Sequence, residues 1–134
     1  MLERYDGVAD IGPVRVASMF VEPEGVFLVV RDDDGAAVAC GGVARFDETR
    51  GEVKRMYVLP EHRGRGLGRR LLVELEAHAR RLGYRSLVLE TGDRQPEALG
   101  LYSSHGYTRI PCYPPYDSRA LSLCFEKRLP PLEQ

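Results

Sequence analysis

The residues best suited to bind an anion form a glycine- and arginine-rich turn, Arg63-Gly64-Arg65-Gly66-Leu67-Gly68. The turn follows an extended run, residues 52–58, and precedes an amphipathic stretch with the period of a helix. Glycine permits a positive φ and leaves backbone N–H groups uncovered. The first N–H groups of a helix have no partner inside it, and the helix dipole adds partial positive charge there. This arrangement predicts a site for a phosphate or a pyrophosphate.

The spacing of the glycines excludes two common nucleotide-binding loops. A Walker A loop requires G-x-x-x-x-G-K-[ST], which does not occur in this sequence. A dinucleotide-binding fingerprint requires a third glycine three residues after Gly66, and Arg69 stands there. The pattern that remains is Arg63-x-x-Gly66-x-Gly68.

Composition predicts one domain, residues 1–134, without a global charge that would attract another polymer. The length allows a substantial core, and the net charge of −1 favours neither nucleic acid nor a membrane surface. No stretch resembles a signal peptide or a membrane span. We therefore expect a cytoplasmic protein without nucleic-acid or membrane partners.

Cysteines and histidines are few and scattered. They are Cys40, Cys112, Cys124, His62, His78 and His105. Since no CxxC spacing is present, a zinc site or other metal site is not expected. The odd number of cysteines argues against a disulfide framework and fits a reducing compartment. A cysteine nucleophile is disfavoured because neither Cys40 nor Cys124 has a histidine near it in sequence.

Hydrophobic patterning predicts an α/β domain with a mixed, mostly antiparallel sheet flanked by helices. From residue 25 onward the expected order is β-β-β-α-β-α-β-β. Strands are predicted at residues 26–30, 38–46, 52–58, 86–91, 107–110 and 121–129, and helices at residues 67–82 and 96–104. Because a helix joins strands 52–58 and 86–91, these should be parallel neighbours. Residues 1–24 are expected to be mostly loop, with at most a short strand near residues 14–20.

Two local patterns add detail to these elements. The first helix carries an apolar stripe that should face the sheet, formed by Leu67, Leu71, Leu72, Leu75, Ala79 and Leu82. Charged residues, Glu76 among them, should face solvent. The pair Gly41-Gly42 inside a strand indicates a bulge or a close approach to the backbone.

Three motifs together resemble the GNAT (Gcn5-related N-acetyltransferase) superfamily over residues 25–129. The loop Arg63-x-x-Gly66-x-Gly68 resembles the [RQ]-x-x-G-x-[GA] acetyl-CoA loop of that family. A Leu-Glu-Thr strand follows at residues 89–91, and residues 97–107, EALGLYSSHGY, resemble the family's A-x-x-L-Y-x-x-x-G-[FY] segment. Each motif falls in the expected element and order, so a GNAT-like acyl-CoA N-acyltransferase domain is indicated.

The resemblance implies acetyl-CoA as co-substrate, a primary amine as acceptor and no metal. It also implies that the strand before the loop diverges from its parallel partner at a bulge, where the pantetheine arm inserts like an additional strand. Backbone groups of Tyr57, Val58 and Leu59 would then contact the pantetheine. The backbone amides of seven residues would bind the pyrophosphate: Arg63, Gly64, Arg65, Gly66, Leu67, Gly68 and Arg69.

The resemblance further implies direct attack by the amine, with Glu52 and Tyr102 as candidate base and acid. Glu52 stands eleven positions before Arg63, as does a strand glutamate that serves as base in some members. An alkylammonium titrates near 10.4, so its deprotonation at neutral pH needs assistance. The motif places the Tyr102 hydroxyl near the thioester sulfur. The alternatives are a solvated Glu52, or one paired with Lys54 or Arg45, and a Tyr102 that only packs in the core.

The acceptor pocket should lie on the far side of the diverging strands. Its expected lining is the N-terminal segment, residues 54–56, Arg94, Gln95 and the loop of residues 113–117. Candidates to bind an acceptor carboxylate are Arg55, Arg94 and Arg119, and each has the alternative of being a surface arginine. Tyr113 and Tyr116 would form an aromatic wall around an amine or cap the end of the sheet.

The N-terminal segment departs from the family, whose members usually have a strand and one or two helices before the strand at residues 26–30. Residues 1–24 are too few for that arrangement. The acceptor site should therefore be open, or a second subunit of a homodimer should complete it. Thr91 stands where many members have asparagine, so the polar contact that this position makes to the acceptor or the cofactor should differ.

These observations lead to one function and two alternatives. The leading interpretation is acetylation of a small-molecule amine. One alternative is acetylation of protein lysines or N-termini, and another is a non-catalytic acyl-CoA-binding regulatory module. The presence of both Glu52 and Tyr102 favours an enzyme.

Overall fold

The structure is a computed structural model that describes residues 8–13, 18–92 and 96–131. Its strands are β1 Val8–Pro13, β2 Val26–Asp32, β3 Ala37–Arg45, β4 Arg50–Val58, β5 Ser86–Gly92, β6 Thr108–Ile110 and β7 Ser122–Arg128. Its helices are α1 Leu67–Arg81 and α2 Pro96–Ser104, with short 3₁₀ helices at Ser18–Phe20, Pro60–His62 and Tyr116–Ser118. Neither α-helix in this part of the chain is long and apolar enough to cross a membrane.

All the described strands belong to one sheet, in the order β1-β2-β3-β4-β5-β7-β6. Within this sheet β4 and β5 are parallel neighbours, as predicted from the helix that joins them. The other neighbouring pairs of described strands are antiparallel. The predicted α/β class with a mixed, mostly antiparallel sheet is therefore confirmed.

The N-terminal segment contains a strand that the sequence patterning did not predict. β1 pairs with β2 in antiparallel register, with Ile11 opposite Val30 and Gly12 opposite Val29. The short strand expected near residues 14–20 was wrong in its described part, because Ser18–Phe20 is a 3₁₀ helix; residues 14–17 lie outside the described residues. A strand with glycine and a terminal proline has little intrinsic preference for extended structure, so its neighbour β2 decides its conformation.

Helix α1 covers one face of the sheet by packing against β2, β3 and β4. The predicted stripe is buried at Leu67, Leu71, Leu72, Leu75 and Ala79. Each fully buried leucine contributes about 1.5–3 kcal/mol relative to an exposed one. This packing holds the N-terminus of α1 in place at the end of β4.

Glu76 was predicted to face solvent, and this was wrong. Only 6% of Glu76 is exposed, on the core side of α1. Its carboxylate accepts a hydrogen bond from the Tyr107 hydroxyl at 2.8 Å and from Lys127 Nζ at 2.9 Å. The helical period alone did not indicate these partners, because both lie distant in sequence, beyond α2.

The glycine pair in β3 lies where other groups approach the backbone, as predicted. A Cβ on Gly42 would lie 2.7 Å from ring atoms of both Phe20 and Phe27. A Cβ on Gly41 would lie 2.7 Å from Met56 Cγ, on the α1 face. The two glycines therefore let aromatic rings pack on one face of the sheet and Met56 on the other.

Candidate functional site

A gap opens between β4 and β5 part of the way along the two strands. Their described register contains Arg50↔Ser86, Gly51↔Leu87 and Glu52↔Val88, and it ends there. Beyond it, β4 bulges against β3, because Lys54 lies opposite Gly42 while Tyr57 lies opposite Cys40. Such an extra residue bends a strand and increases its twist.

Arg55 forms the centre of the bulge in β4. Its φ of 59° lies in the left-handed region that non-glycine residues rarely adopt. The Arg55 carbonyl is contacted by Cys40 Sγ at 3.6 Å, and the guanidinium lies 5.3 Å from the centre of the Phe20 ring. The bulge turns the second half of β4 away from β5, as the family resemblance implied.

The backbone of β4 beyond the bulge presents polar groups to this gap. Leu59 N–H donates to the Val38 carbonyl of β3 at 2.9 Å. Because backbone groups alternate in direction along a strand, Val58 between Leu59 and Tyr57 points its groups away from β3. The Val58 carbonyl accepts a hydrogen bond from Arg63 Nε at 2.8 Å. Of the three residues predicted to contact pantetheine, Val58 therefore turns its backbone to the open edge.

The glycine turn adopts the conformation that the sequence predicted. Gly64 has φ of 78° and Gly66 has φ of 83°, both in the left-handed region. A Cβ on either residue would meet no atom within 4 Å, so backbone conformation rather than crowding requires glycine there. The space in front of both residues is open.

Gly66 caps helix α1, and the Arg70 N–H donates to the Gly66 carbonyl at 3.1 Å. The N–H groups of Leu67, Gly68 and Arg69 precede this bond and have no carbonyl partner within the helix. The Leu67 side chain is buried, whereas Arg63, Arg65 and Arg69 are exposed around the turn. Uncovered amides at a helix N-terminus beside cationic side chains suit a pyrophosphate.

Tyr102 of α2 reaches the gap from the α1 face of the sheet. It is 7% exposed, and its ring packs edge-on against Tyr107 with centroids 5.8 Å apart. Its hydroxyl lies 3.9 Å from Met56 Sδ, on the bulged part of β4. Burial, followed by the charge of Glu90, raises the pKa of Tyr102 to about 12. Its hydroxyl therefore stays protonated through neutral pH.

Glu52 reaches the same gap from the opposite face. It is the last residue of β4 in register with β5, and its neighbour Val53 is buried in the α1 core. The Glu52 side chain is 12% exposed, and its Oε1 lies 3.6 Å from Lys54 Nζ. Its Oε2 accepts the Tyr113 hydroxyl at 3.2 Å. The pairing with Lys54, which the sequence left open, is present, whereas Arg45 pairs with Glu24 at 3.5 Å.

The loop after β6 forms an aromatic surface beside Glu52. The Tyr113 ring lies 4.7 Å from the Phe46 ring and 5.7 Å from the Tyr116 ring, edge-on in both cases. Burial, followed by the Glu52 carboxylate, raises the pKa of Tyr113 far above its usual value. The sequence indicated the aromatic wall, but it carried no signal for the bond between Tyr113 and Glu52.

The arginines proposed for an acceptor carboxylate are not gathered at one point. Arg55 lies over the Phe20 ring and Arg119 lies 5.3 Å from the centre of the Tyr116 ring. Arg94 and Gln95 lie outside the described residues. Both described arginines therefore contact an aromatic ring, but only Arg119 contacts the aromatic surface beside Glu52.

The expectation of three reduced cysteines was wrong. Cys112 and Cys124 form a disulfide with Cα atoms 5.1 Å apart, and Cys40 is free. The pairing of β6 with β7, with Ile110 opposite Cys124, brings the two cysteines together. The count of cysteines therefore no longer supports a reducing compartment. In the described part of the chain no histidines, cysteines or carboxylates cluster as a metal site.

Comparisons with known proteins agree with this geometry. The model of the acetyltransferase (GNAT) family matches residues 3–107. A relative named IAA acetyltransferase, from Azospirillum brasilense, is 43% identical over 134 aligned positions, covering 96% of this chain and 86% of its own length.

Solved structures show the same fold. A protein from Klebsiella pneumoniae described as an acyl-CoA N-acyltransferase superposes with a TM-score of 0.77 at 40% identity, covering 84% of this chain and 77% of its own. A GNAT family acetyltransferase from Elizabethkingia anophelis, with acetyl-CoA bound, superposes with a TM-score of 0.74 at 17% identity. That match covers 92% of this chain and 99% of the other, and at this identity it shows the fold alone.

Proposed function

This chain belongs to the GNAT acetyltransferase family and is an acetyl-CoA-dependent N-acetyltransferase, and we propose that its acceptor is the primary amine of a small molecule. The observation that carries the proposal is the arrangement at the gap between β4 and β5. Glu52 and Tyr102 approach the gap from opposite faces of the sheet, and Glu90 of β5 acts on the pKa values of Tyr102 and Tyr113 alike.

The residues around the gap suit acetyl-CoA. Val58, with Tyr57 and Leu59 beside it, would hold the pantetheine arm by backbone contacts along the open edge of β4. The amides from Arg63 to Arg69 would hold the pyrophosphate at the N-terminus of α1. Bound there, acetyl-CoA would supply an activated acetyl group to the gap between β4 and β5.

Glu52 would act as the general base on the acceptor amine. An ammonium group that titrates near 10.4 must lose a proton before its nitrogen attacks. The Glu52 carboxylate is partly buried, with one partner on each oxygen, and it takes this proton directly or through a water molecule. The neutral nitrogen then bonds to the acetyl carbon as the carbon–sulfur bond breaks.

Tyr102 would supply the proton that the departing sulfur needs. A solvated thiol titrates near 8.5, so complete transfer from a hydroxyl with a pKa of about 12 is uphill in water. Burial disfavours a thiolate as it disfavours a phenolate, and this reduces the difference. We therefore propose that water is excluded from the surroundings of the Tyr102 hydroxyl during the reaction.

The choice of a small acceptor is supported by the aromatic surface of Phe46, Tyr113 and Tyr116 beside Glu52. Rigid aromatic side chains contact a small amine over a large area and stabilise a cation near their faces. Acetylation of protein lysines or N-termini stays the alternative.

A panel of acceptors tests the proposal. Release of free thiol from acetyl-CoA is measured with amino acids, polyamines, aromatic amines and lysine- or N-terminus-bearing peptides. We expect turnover with at least one small amine at a kcat/KM at least ten times that of any peptide. Turnover with peptides alone would favour the alternative, and binding of CoA without turnover on any acceptor would contradict the proposal.

A further inference from the structure

One side chain from outside the two central strands contacts the proposed base. Tyr113 donates its hydroxyl to Glu52 Oε2 at 3.2 Å. We propose that Tyr113 is a positioning residue for the Glu52 carboxylate, and that the Cys112–Cys124 disulfide holds Tyr113 in that position. The inference deepens the proposed function, since it rests on Glu52 being the general base.

Two aromatic contacts restrict the Tyr113 ring. Phe46, which follows β3, packs edge-on against it, and so does Tyr116. The segment itself is stiff, because Pro111, Pro114 and Pro115 each restrict φ. A ring restricted in this way directs its hydroxyl to one place at little entropic cost.

The Glu52 carboxylate has one partner on each oxygen. Lys54 of the same strand lies at Oε1, at 3.6 Å, and Tyr113 donates to Oε2. Glu90 faces the pair from β5, and farther along this face Arg50 and Glu126 pair with each other at 3.7 Å. A partner at each oxygen therefore limits the rotation of the Glu52 carboxylate.

The Tyr113 hydroxyl remains a hydrogen-bond donor at neutral pH. Burial and the Glu52 carboxylate raise the pKa of Tyr113 well above its usual value, so its proton is retained at neutral and moderately basic pH. The contact is therefore lost only when the ring moves away or the hydroxyl is removed.

The disulfide anchors the start of this segment to the sheet. Cys112 directly precedes Tyr113, and Cys124 lies in β7 opposite Glu90 of β5. A dithiol reductant breaks the sulfur–sulfur bond, gives two cysteine thiols and is itself oxidised to a disulfide. Without the bridge, Tyr113 is held by its ring contacts, by its hydrogen bond to Glu52 and by the hydrogen bond that its carbonyl accepts from the Tyr116 N–H at 2.7 Å.

The first test compares Tyr113→Phe with wild type in the pH dependence of kcat/KM. The variant keeps the ring and loses the donor, so the acidic limb should move to higher pH by about one unit. Tyr84→Phe is the matched control, because its hydroxyl donates to the Glu24 carbonyl instead. An acidic limb in Tyr113→Phe that coincides with that of wild type, together with an unchanged titration of the Glu52 carboxyl, would overturn the assignment of Tyr113.

The second test examines the disulfide. Wild type and Tyr113→Phe are assayed oxidised and after reduction by a dithiol, with acetylated product measured by chromatography because the reductant interferes with thiol detection. Reduction should move the acidic limb of wild type in the same direction as Tyr113→Phe, and it should not move the limb of Tyr113→Phe further. The role of the disulfide is refuted by an equal shift in both proteins or by no shift in wild type.

A measurement that needs no turnover separates this inference from the proposed function. The carbon-13 carboxyl signal of Glu52, assigned by its absence in Glu52→Gln, should titrate at higher pH in Tyr113→Phe than in wild type. An unchanged titration refutes the inference about Tyr113. A changed titration with an unchanged rate profile would instead show that Glu52 is not the base.

Discussion

At the scale of single residues, the two proposed catalytic groups lie in different surroundings. Glu52 lies at the edge of the core with Lys54 and Tyr113 on its two oxygens. Tyr102 is buried, and Glu90 adds a negative charge that disfavours its phenolate. Burial and the charge of Glu90 both favour the neutral phenol of Tyr102. The proposed base and the proposed acid therefore lie on opposite faces of the same gap.

The variant Glu52→Gln should lower kcat by about 10²-fold or more near neutral pH. The loss should be greatest at low pH, because at high pH the free amine is already neutral and needs less assistance. A rate profile across pH, with each acceptor at saturation, measures the effect. The Glu52 assignment is excluded if the variant follows wild type over the whole profile.

The variant Tyr102→Phe should keep the fold and lower kcat by about 10²-fold, because the ring contacts remain and only the proton is lost. Since the pKa of Tyr102 is about 12, the protonated acid persists at basic pH, so this residue should cause no fall in wild-type rate below about pH 10. Steady-state kinetics, with circular dichroism to check the fold, test both statements. Full activity in the variant would leave Tyr102 a core residue only.

At the scale of elements, the bulge in β4 and the glycine turn before α1 act together. The bulge at Arg55 separates β4 from β5, and the turn with Gly64 and Gly66 exposes backbone amides at the far end of the same strand. Both depend on backbone conformations that most residues avoid. The strand and the helix N-terminus can therefore bind different parts of one extended ligand.

The variant Gly66→Ala should raise the KM for acetyl-CoA at least several-fold and lower stability by about 1–2 kcal/mol, because alanine resists the left-handed conformation. Gly83→Ala is a matched control at the other end of α1, with φ of 97° and no atom within 4 Å of its added Cβ. Gly83→Ala should lower the stability by a similar amount and leave the KM for acetyl-CoA unchanged. If both variants raise the KM equally, the effect comes from stability rather than from the phosphate site.

The buried carboxylate of α1 gives a prediction about stability. Glu76→Gln should lower the free energy of unfolding by about 1–3 kcal/mol, because it removes the charge that faces Lys127 and weakens the bond from Tyr107. Glu74→Gln, on the same helix but less buried, should change it by less than about 0.5 kcal/mol. Urea denaturation measures both, and equal effects would argue against the buried network.

At the scale of the whole molecule, the two faces of the sheet are covered differently. In the part of the chain that the structure describes, α1 and α2 pack into one core on the same face. The other face carries a small cluster of Phe20, Phe27 and Ala44 beside the Ser18–Phe20 helix. The aromatic surface of Phe46, Tyr113 and Tyr116 lies on the proposed acceptor side.

We propose that a homodimer completes the acceptor side of each subunit, and an acceptor site open to solvent is the alternative. Sedimentation velocity should show a dimer at micromolar concentration, and dilution that gives monomers should raise the KM for the acceptor more than the KM for acetyl-CoA. A monomer that retains the full kcat/KM for its acceptor would refute this expectation.

The sequence by itself determined the glycine turn, the apolar stripe of α1, the parallel pair and the family resemblance. These depend on local backbone preferences, on helical period and on motifs contained within single elements. The roles that the sequence suggested for Glu52, Tyr102 and the cofactor-binding residues remain proposals. The positions of these residues around one gap support them.

Only the tertiary structure decided features that depend on partners distant in sequence. β1 depends on its pairing with β2, and the disulfide depends on the pairing of β6 with β7. Glu76 is buried because Tyr107 and Lys127 reach it, and Tyr113 meets Glu52 because a loop folds back across the sheet. No local pattern records such contacts, because their free energy arises only when the sheet has assembled.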